Sequence, residues 1–466
     1  MAADTIPGEL TTACAAVRPA GPGDEVAGVL PRYVAAPAST QEVSGLLRAA
    51  SGLGLAVVPR GTGTRLHWGY PPSRCDLVLE LTAMDRVVEH AAGDLVVTVQ
   101  AGLALDRLAE VLRAAGQRLA LDPPPGAGSR GRGTVGGVLA TGVAGPLRLR
   151  YGSGRDLLIG VTIVRADGTV ARAGGKVVKN VAGYDLGKLV AGSRGTLAVI
   201  TEATFRLHPL PAATAAVSAQ CPAAVDACRL ISAALDSPLA PVSAELSWPS
   251  AGEPVSITIG LEGDHAGVAD RAAALASLLT ASGGRSVRDA TGTAAVWPAT
   301  DGTVAQVAFW PGDLGMVVAE IRAAADAVGL DPAISGSAGA GILYVSLPEG
   351  ADPGTVATFV TGLRSALGRG LSGSAPRHRL ADVAQAGAVA GHPRPTDRTG
   401  TPPPHPATPR SGPPGRASVV VLHAPPSVTA VIDLFGSVSS LALMRAVKRQ
   451  FDPDGILSPG RFAGGL

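Results

Sequence analysis

The chain has 466 residues, room for about two or three domains rather than one ordinary core. Apolar residues make up 46% and charged residues 16%, which excludes wholesale disorder, and a net charge of +2 with no Lys/Arg run excludes a nucleic-acid surface. Four cysteines without C-x-x-C spacing, no basic leader and no run of about 18 apolar residues speak against a disulfide framework, an iron–sulfur or zinc site, a signal peptide and direct membrane insertion, so a cytoplasmic protein is expected.

Ser39-Thr40-Gln41-Glu42 is a capping box, and Val43, Leu46, Leu47 and Ala50 follow at helical spacing until Gly52 and Gly54. The strand-like Leu55-Ala56-Val57-Val58 then runs into Pro59-Arg60-Gly61-Thr62-Gly63-Thr64. These residues suit a phosphate cradle, with backbone N–H groups, hydroxyls and a guanidinium as donors; they also suit an ordinary tight turn. Leu77 to Leu81 and Leu95 to Val99 predict strands, and Leu105, Leu108 and Leu112 mark one face of a helix ending near Gly116. This much is an alternating α/β unit.

Gly126, Gly128 and Gly131 match the G-x-G-x-x-G pattern of a dinucleotide fold. Three prolines stand where its strand should be, so the passage is read as a flexible loop. In the compact run from Thr134 to Ala140, Gly136-Gly137 permits backbone approach that any side chain would block, with close helix packing as the simpler use. Leu157 to Val164 predicts a strand, Asp167-Gly168 a hairpin turn and Thr169 to Arg172 the return. Lys179 to Asp185 leads into a short helix with Leu186, Leu189 and Val190. After Gly195-Thr196 a long alternating strand places Leu197, Val199, Ala203, Phe205 and Leu207 on one face, and Pro209 and Pro211 end it at a domain boundary.

From about 212 to 371, Ala-rich helices lie between short strands such as Val255–Gly260, Ala305–Phe309 and Ile342–Leu347, predicting a second α/β domain with an antiparallel sheet. Residues 387–416, dense in Pro, Thr, Arg and His, read as a mobile loop. His392, His405 and His423 in or near it are taken as solvated side chains, and no metal site is expected. The chain closes with a helix carrying Leu441, Met444, Val447 and Lys448, followed by Phe451-Asp452-Pro453-Asp454-Gly455-Ile456-Leu457-Ser458-Pro459-Gly460-Arg461.

Taken in order, Pro59 to Thr64, Thr134 to Gly137, Ala144-Gly145-Pro146, Gly152 to Asp156, Lys179 to Leu186, Gly192 to Leu197 and Pro459-Gly460-Arg461 form a connected pattern. It resembles the FAD-binding domain of the vanillyl-alcohol-oxidase-type flavoproteins, and within them the FAD-binding subunits of bacterial glycolate oxidase. The resemblance implies an α+β fold: a two-subdomain FAD-binding domain over 1–211, its α/β subdomains spanning about 24–117 and 118–211, and an α/β cap domain with an antiparallel sheet over 212–435. A C-terminal helix and tail, 436–466, would return to the FAD domain.

By the same resemblance, Arg60, Gly61, Thr62, Gly63 and Thr64 would hold the FAD pyrophosphate. Thr134, Val135, Gly136 and Gly137 would lie along the flavin, Gly145 would also touch the cofactor, and Val199 and Ile200 would meet the adenosine end. Relatives with covalent FAD carry a His in the phosphate loop; Thr64 stands there and His67 lies three residues on, so non-covalent FAD is expected.

The implied function is that of the FAD-binding subunit of a glycolate oxidase-like 2-hydroxy-acid dehydrogenase complex, an FAD-dependent oxidoreductase acting on CH–OH donors. A small hydroxy-acid substrate, a catalytic flavoprotein subunit and an iron–sulfur subunit would be its partners, and any membrane association would run through them. The chain lacks the His-x-Gly-Asp-Gly-Asn-x-His motif with which catalytic members hold metal and substrate, and it has Ser458 where relatives often carry Asn. No catalytic base can be named on these residues. A self-sufficient FAD-dependent hydroxy-acid or alcohol dehydrogenase and a non-catalytic flavin-holding scaffold are the alternatives.

Overall fold

Three larger sheets and a two-stranded pairing of Gln117–Arg118 with His208–Pro209 carry the described chain, which in this computed structural model comprises residues 6–126, 131–175, 184–290, 297, 302–369 and 417–466. The predicted loop at 387–416 and the motif at 179–183 lie outside those residues.

The first sheet has the spatial order Val17–Pro19, Tyr33–Ala35, Leu77–Glu80, Val57–Arg60, with its last three strands parallel. Helix Thr40–Gly52 covers it, burying Val43, Leu46, Leu47 and Ala50 against Tyr33, Leu77 and Leu79. The expected cap forms with one change. Ser39 Oγ accepts from the Glu42 N–H at 3.2 Å, but the Glu42 carboxylate reaches past Ser39 to the Ala38 N–H at 2.6 Å. The strand Val57–Arg60 delivers the next residues at its carboxyl end, the side on which open parallel sheets bind ligands.

The second sheet is antiparallel throughout: Val87–Ala91, Val96–Gln100, Val199–Arg206, Leu158–Val164, Val170–Gly174. Helices Leu105–Ala114 and Val135–Thr141 share its core, where Val97, Val99, Leu108, Leu112, Val135, Leu139, Ile163 and Phe205 are buried. The third sheet is eight-stranded and also antiparallel, ordered Arg285–Ala290, Ala213–Cys221, Val255–Gly263, Ser243–Trp248, Ala333–Gly336, Ile342–Leu347, Thr303–Phe309, Ala417–His423. Helices Ala224–Leu235, His265–Ala281, Leu314–Asp326 and Pro353–Arg369 supply the other half of its core.

Helix Leu441–Phe451 brings the chain back to the first sheet. The Val57 N–H donates to Ile456 O at 2.7 Å, and the Ser458 N–H to Val57 O at 2.9 Å. What fixes this return is a buried cation. Lys448 Nζ donates to Thr196 O at 2.7 Å, to Leu457 O at 2.9 Å and to Asp452 Oδ2 at 2.5 Å, while the Asp452 carboxylate accepts the N–H groups of Ile456 and Leu457. Burial pushes the Lys448 amine down, and the Asp452 hydrogen bond and charge oppose that. Removing the cation strands a buried carboxylate. Lys448→Met is therefore expected to cost about 3–5 kcal/mol, read as a lower urea midpoint. An unchanged midpoint would show that the tail is held by its strand pairing alone.

Candidate functional site

The loop 61–64, helix Val135–Thr141, the start of strand Val199–Arg206 and the C-terminal tail border one cleft. Of the residues singled out in sequence, Arg60, Gly61, Thr62, Gly63, Thr64, Thr134, Gly136, Gly137, Val199 and Ile200 line it. Val135 is buried in the core of the second sheet, and Gly145 lies elsewhere, in a smaller recess.

Local geometry gives these residues different tasks. The Arg60 guanidinium pairs through Nη2 with Asp24 at 3.1 Å and Glu80 at 2.6 Å, which fixes the strand end and balances its charge. Gly63 has φ +73°, a left-handed turn that favours glycine. A side chain at Gly61 would collide with that of Thr134, and one at Gly136 would press on Ala101 Cβ at 2.9 Å. Gly136 thus serves close packing. Gly137 does not: a Cβ there would meet only Thr134 Oγ1, at 3.2 Å, and would otherwise occupy the cleft. Thr134 caps the helix by accepting the Gly137 N–H, and Thr62 Oγ1 is buried with no partner among the described residues.

The cleft's charge comes from three arginines that the motif reading did not assign. Arg65 donates to Thr64 Oγ1, Arg132 O and Pro124 O, holding Pro124 and Arg132 against the loop. Gly126 and Gly131 close this passage, the Gly126 N–H donating to Gly131 O at 2.7 Å, and Gly126 packs on the Thr64 side chain, so among the described residues the glycines serve loop packing. Arg461 donates to Leu66 O and Trp68 O at 2.6 and 2.9 Å, leaving Nε and Nη1 buried and unpartnered among the described residues. Arg194 Nη1 is likewise unpartnered, and its guanidinium lies 5.1 Å from the Phe435 ring centre. Burial pushes each of the three down to about 10, and the charge of Arg461 adds to the fall at Arg194. All stay cationic at neutral pH with no carboxylate paired to them among the described residues. Buried charge without a partner is costly, and a dianionic diphosphate supplies the missing partner. The donor set fits a dinucleotide. Only the recurrence of Gly192 to Leu197 and Pro459 to Arg461 in the motif pattern could have pointed to Arg194 and Arg461.

Among the described residues no group of three or more His, Cys, Asp or Glu is placed to hold a metal, and the four cysteines are separate buried thiols. No helix among them is long and apolar enough to cross a membrane.

Comparison with known proteins agrees with this geometry. Residues 31–174 match the FAD binding domain family, and residues 432–462 the C-terminal domain of FAD linked oxidases. A glycolate oxidase subunit, GlcD, of Bacillus subtilis is 39% identical over 183 residues, 39% of this chain and 38% of that protein. A D-lactate dehydrogenase of Archaeoglobus fulgidus is 39% identical over 176 residues, 38% of each chain. The match thus spans well under half the length of these relatives. The fold of a p-cresol methylhydroxylase solved with substrate bound superimposes with a TM-score of 0.68 at 14% identity, covering 97% of this chain and 95% of the other. The chain therefore carries an FAD-binding domain of this fold, and FAD is its cofactor.

Two substitutions separate cofactor from scaffold. Gly137→Val is expected to abolish FAD retention while leaving the thermal midpoint of the FAD-free protein unchanged, because the side chain fills only the cleft. Arg194→Met is expected to weaken FAD binding by about tenfold or more, since it removes a cation of the cleft whose Nη1 has no partner among the described residues. A Gly137→Val protein that keeps its flavin, or an Arg194→Met protein with unaltered FAD affinity, would place the cofactor elsewhere.

Proposed function

We propose that the chain is the FAD-binding subunit of a glycolate oxidase-like 2-hydroxy-acid dehydrogenase complex, beside a second flavoprotein subunit and an iron–sulfur subunit that carries electrons onward. The observation behind the cofactor half is that the guanidiniums of buried Arg461 and half-buried Arg194 line the cleft with the glycine-rich loop and have no carboxylate partner among the described residues. The donor class is supported by the similarity to a glycolate oxidase subunit and to D-lactate dehydrogenases.

In this reading the backbone of Gly61 to Thr64, with Arg194 and Arg461, takes the diphosphate. Thr134 and Gly137 border the flavin, and Val199 and Ile200 border the adenosine. Bound FAD supplies the hydride acceptor for oxidation of a CH–OH group. The protein's part is to hold that acceptor in a dry, cationic setting and to present the donor to it. FAD is held without a covalent bond, because a threonine, Thr64, occupies the loop position and the His67 ring packs edge-on against His423, with centroids 4.8 Å apart. The third sheet acts as the cap over this site.

Purified from cells that express its partners, the chain is expected to come with two further polypeptides and with both flavin and iron. That assembly should reduce an acceptor when given glycolate or D-lactate, and acid precipitation should release FAD into the supernatant. A chain that purifies alone and sustains full turnover would establish the self-sufficient dehydrogenase instead. An assembly whose flavin in this chain is never reduced by a hydroxy acid would leave only the scaffold role.

A further inference from the structure

Arg194 faces two ways. Its backbone is fixed, the N–H donating at 2.7 Å to Ala140 O on the cleft helix and φ standing at +55°. Its guanidinium borders the cofactor cleft, with Nη1 buried and unpartnered among the described residues. The same guanidinium lies over the Phe435 ring, 5.1 Å from the ring centre. Phe435 itself is not among the residues that border the cleft.

Phe435 belongs to the stretch that closes the third sheet. Its ring packs against Tyr70 and Phe462, with centroids 5.9 and 5.1 Å away. The Leu434 N–H donates to the Tyr70 hydroxyl at 2.9 Å, and Leu434 O accepts the Val421 N–H at 2.7 Å and Arg364 Nη2 at 2.9 Å. Val421 lies on Ala417–His423, the edge strand of the sheet, where Leu422 O accepts the Gly69 N–H at 2.8 Å. Gly69 is also the residue that leaves room for Arg194, since a Cβ there would stand 2.5 Å from Nη1. A cation of the cleft and the docking of the edge strand therefore meet at one point.

The two cleft arginines are held differently. Arg461 is pinned by Leu66 O and Trp68 O, whereas half-buried Arg194 has an aromatic face on one side and solvent within reach on the other. With the cleft empty, the cost of desolvating an unpaired cation beside Arg461 opposes the seat over Phe435. An anion on Nη1 removes that opposition, and a desolvated cation–π contact is the stronger kind. A ligand that favours the seated state shifts the chain toward it.

We propose that Arg194 couples the cleft to the third sheet: a diphosphate bound at Nη1 seats the guanidinium on Phe435, which ties residues 433–435 and the edge strand Ala417–His423 to Gly69 and Tyr70. Arg194 is then a positioning residue acting through Phe435, and loading the cofactor tightens the attachment of the third sheet. The proposal rests on the reading above in which Arg194 takes the diphosphate. Coupling of this kind is reciprocal, so Phe435 influences FAD affinity without bordering the cleft.

The test is amide hydrogen exchange of the full chain, free, saturated with FAD, and saturated with ADP, which carries a diphosphate without a flavin. The amides read are those of Gly69, Val421 and Leu434. In the wild type either ligand is expected to slow all three by about tenfold or more. Arg194→Met and Phe435→Leu, at saturating FAD, should lose most of that slowing, and Phe435→Leu should weaken FAD binding by about tenfold in a flavin-fluorescence titration. A role confined to packing changes exchange in the free chain and leaves the ligand-induced slowing intact. Slowing of wild-type size in either variant, or slowing by FAD but not by ADP in the wild type, would overturn the coupling; the second comparison needs no variant to fold. A wild type that binds FAD with no change at these amides sinks the coupling and leaves the cofactor reading standing, whereas one that binds neither ligand sinks both.

Discussion

Two like charges held together without a counter-ion set the terms for this fold. Arg461 is buried and Arg194 half-buried, with its Nη1 out of solvent, on one cleft, and the charge of Arg461 depresses the basicity of Arg194. Nothing in an apo chain favours that arrangement, so the scaffold has to impose it. Arg194 and Ser458 sit at φ +55° and +42°, left-handed conformations that cost a non-glycine residue about 1–3 kcal/mol, and both lie beside the end of strand Val57–Arg60. Gly69 leaves the room that the Arg194 guanidinium occupies. The Lys448 clamp, far from the cleft in sequence, keeps the tail that carries Arg461 in register with that strand. Strain, glycine placement and a buried ion pair thus all hold these two guanidiniums on the cleft.

The third sheet is joined to the rest of the chain by polar as well as apolar contacts, the latter including Trp68 against Tyr344 and Leu422 and Tyr70 against Phe435. Glu262, on strand Val255–Gly263, accepts from Arg118 Nη1 and from the Tyr151 hydroxyl, each at 2.7 Å, while Arg118 also donates to that hydroxyl at 2.9 Å. On the other side Tyr70 accepts the Leu434 N–H at 2.9 Å and donates to Asp433. Charge-assisted bonds of this kind fix orientation more sharply than an apolar patch would.

How much of this was legible in the sequence depended on the range of the interaction. Ser39 and Glu42 announced a helix start, and the apolar spacing of Val43 to Ala50 gave its buried face, because both signals are local. The loop 61–64 was legible for the same reason. Arg60 was not, since the acids that claim it, Asp24 and Glu80, lie 36 and 20 residues away. Gly136 and Gly137 are neighbours in sequence, yet one packs on Ala101 and the other opens to the cleft, a difference that only helix phase decides. Glu245 was invisible: a lone acid in the run Ser243–Trp248 has the look of the solvent side of a strand, and only the packing of the third sheet shows it to be buried. Ser458, flagged as a departure from relatives, now has a physical reading. Its left-handed φ is one that Asn tolerates better than Ser.

The cleft and the recess beside Gly145 differ in the charge they favour. The cleft has cations without anions, and so draws in and holds a ligand of fixed negative charge. The recess has a carboxyl, that of Glu245, whose burial favours the neutral form and which hydrogen-bonds the Ser337 hydroxyl. Oxidation of an alcohol needs both at once: an electron acceptor that does not wander and a base that can change state. In this chain the residues on the cleft answer the first requirement alone: arginines held by a strained backbone and by a tail that a buried lysine anchors.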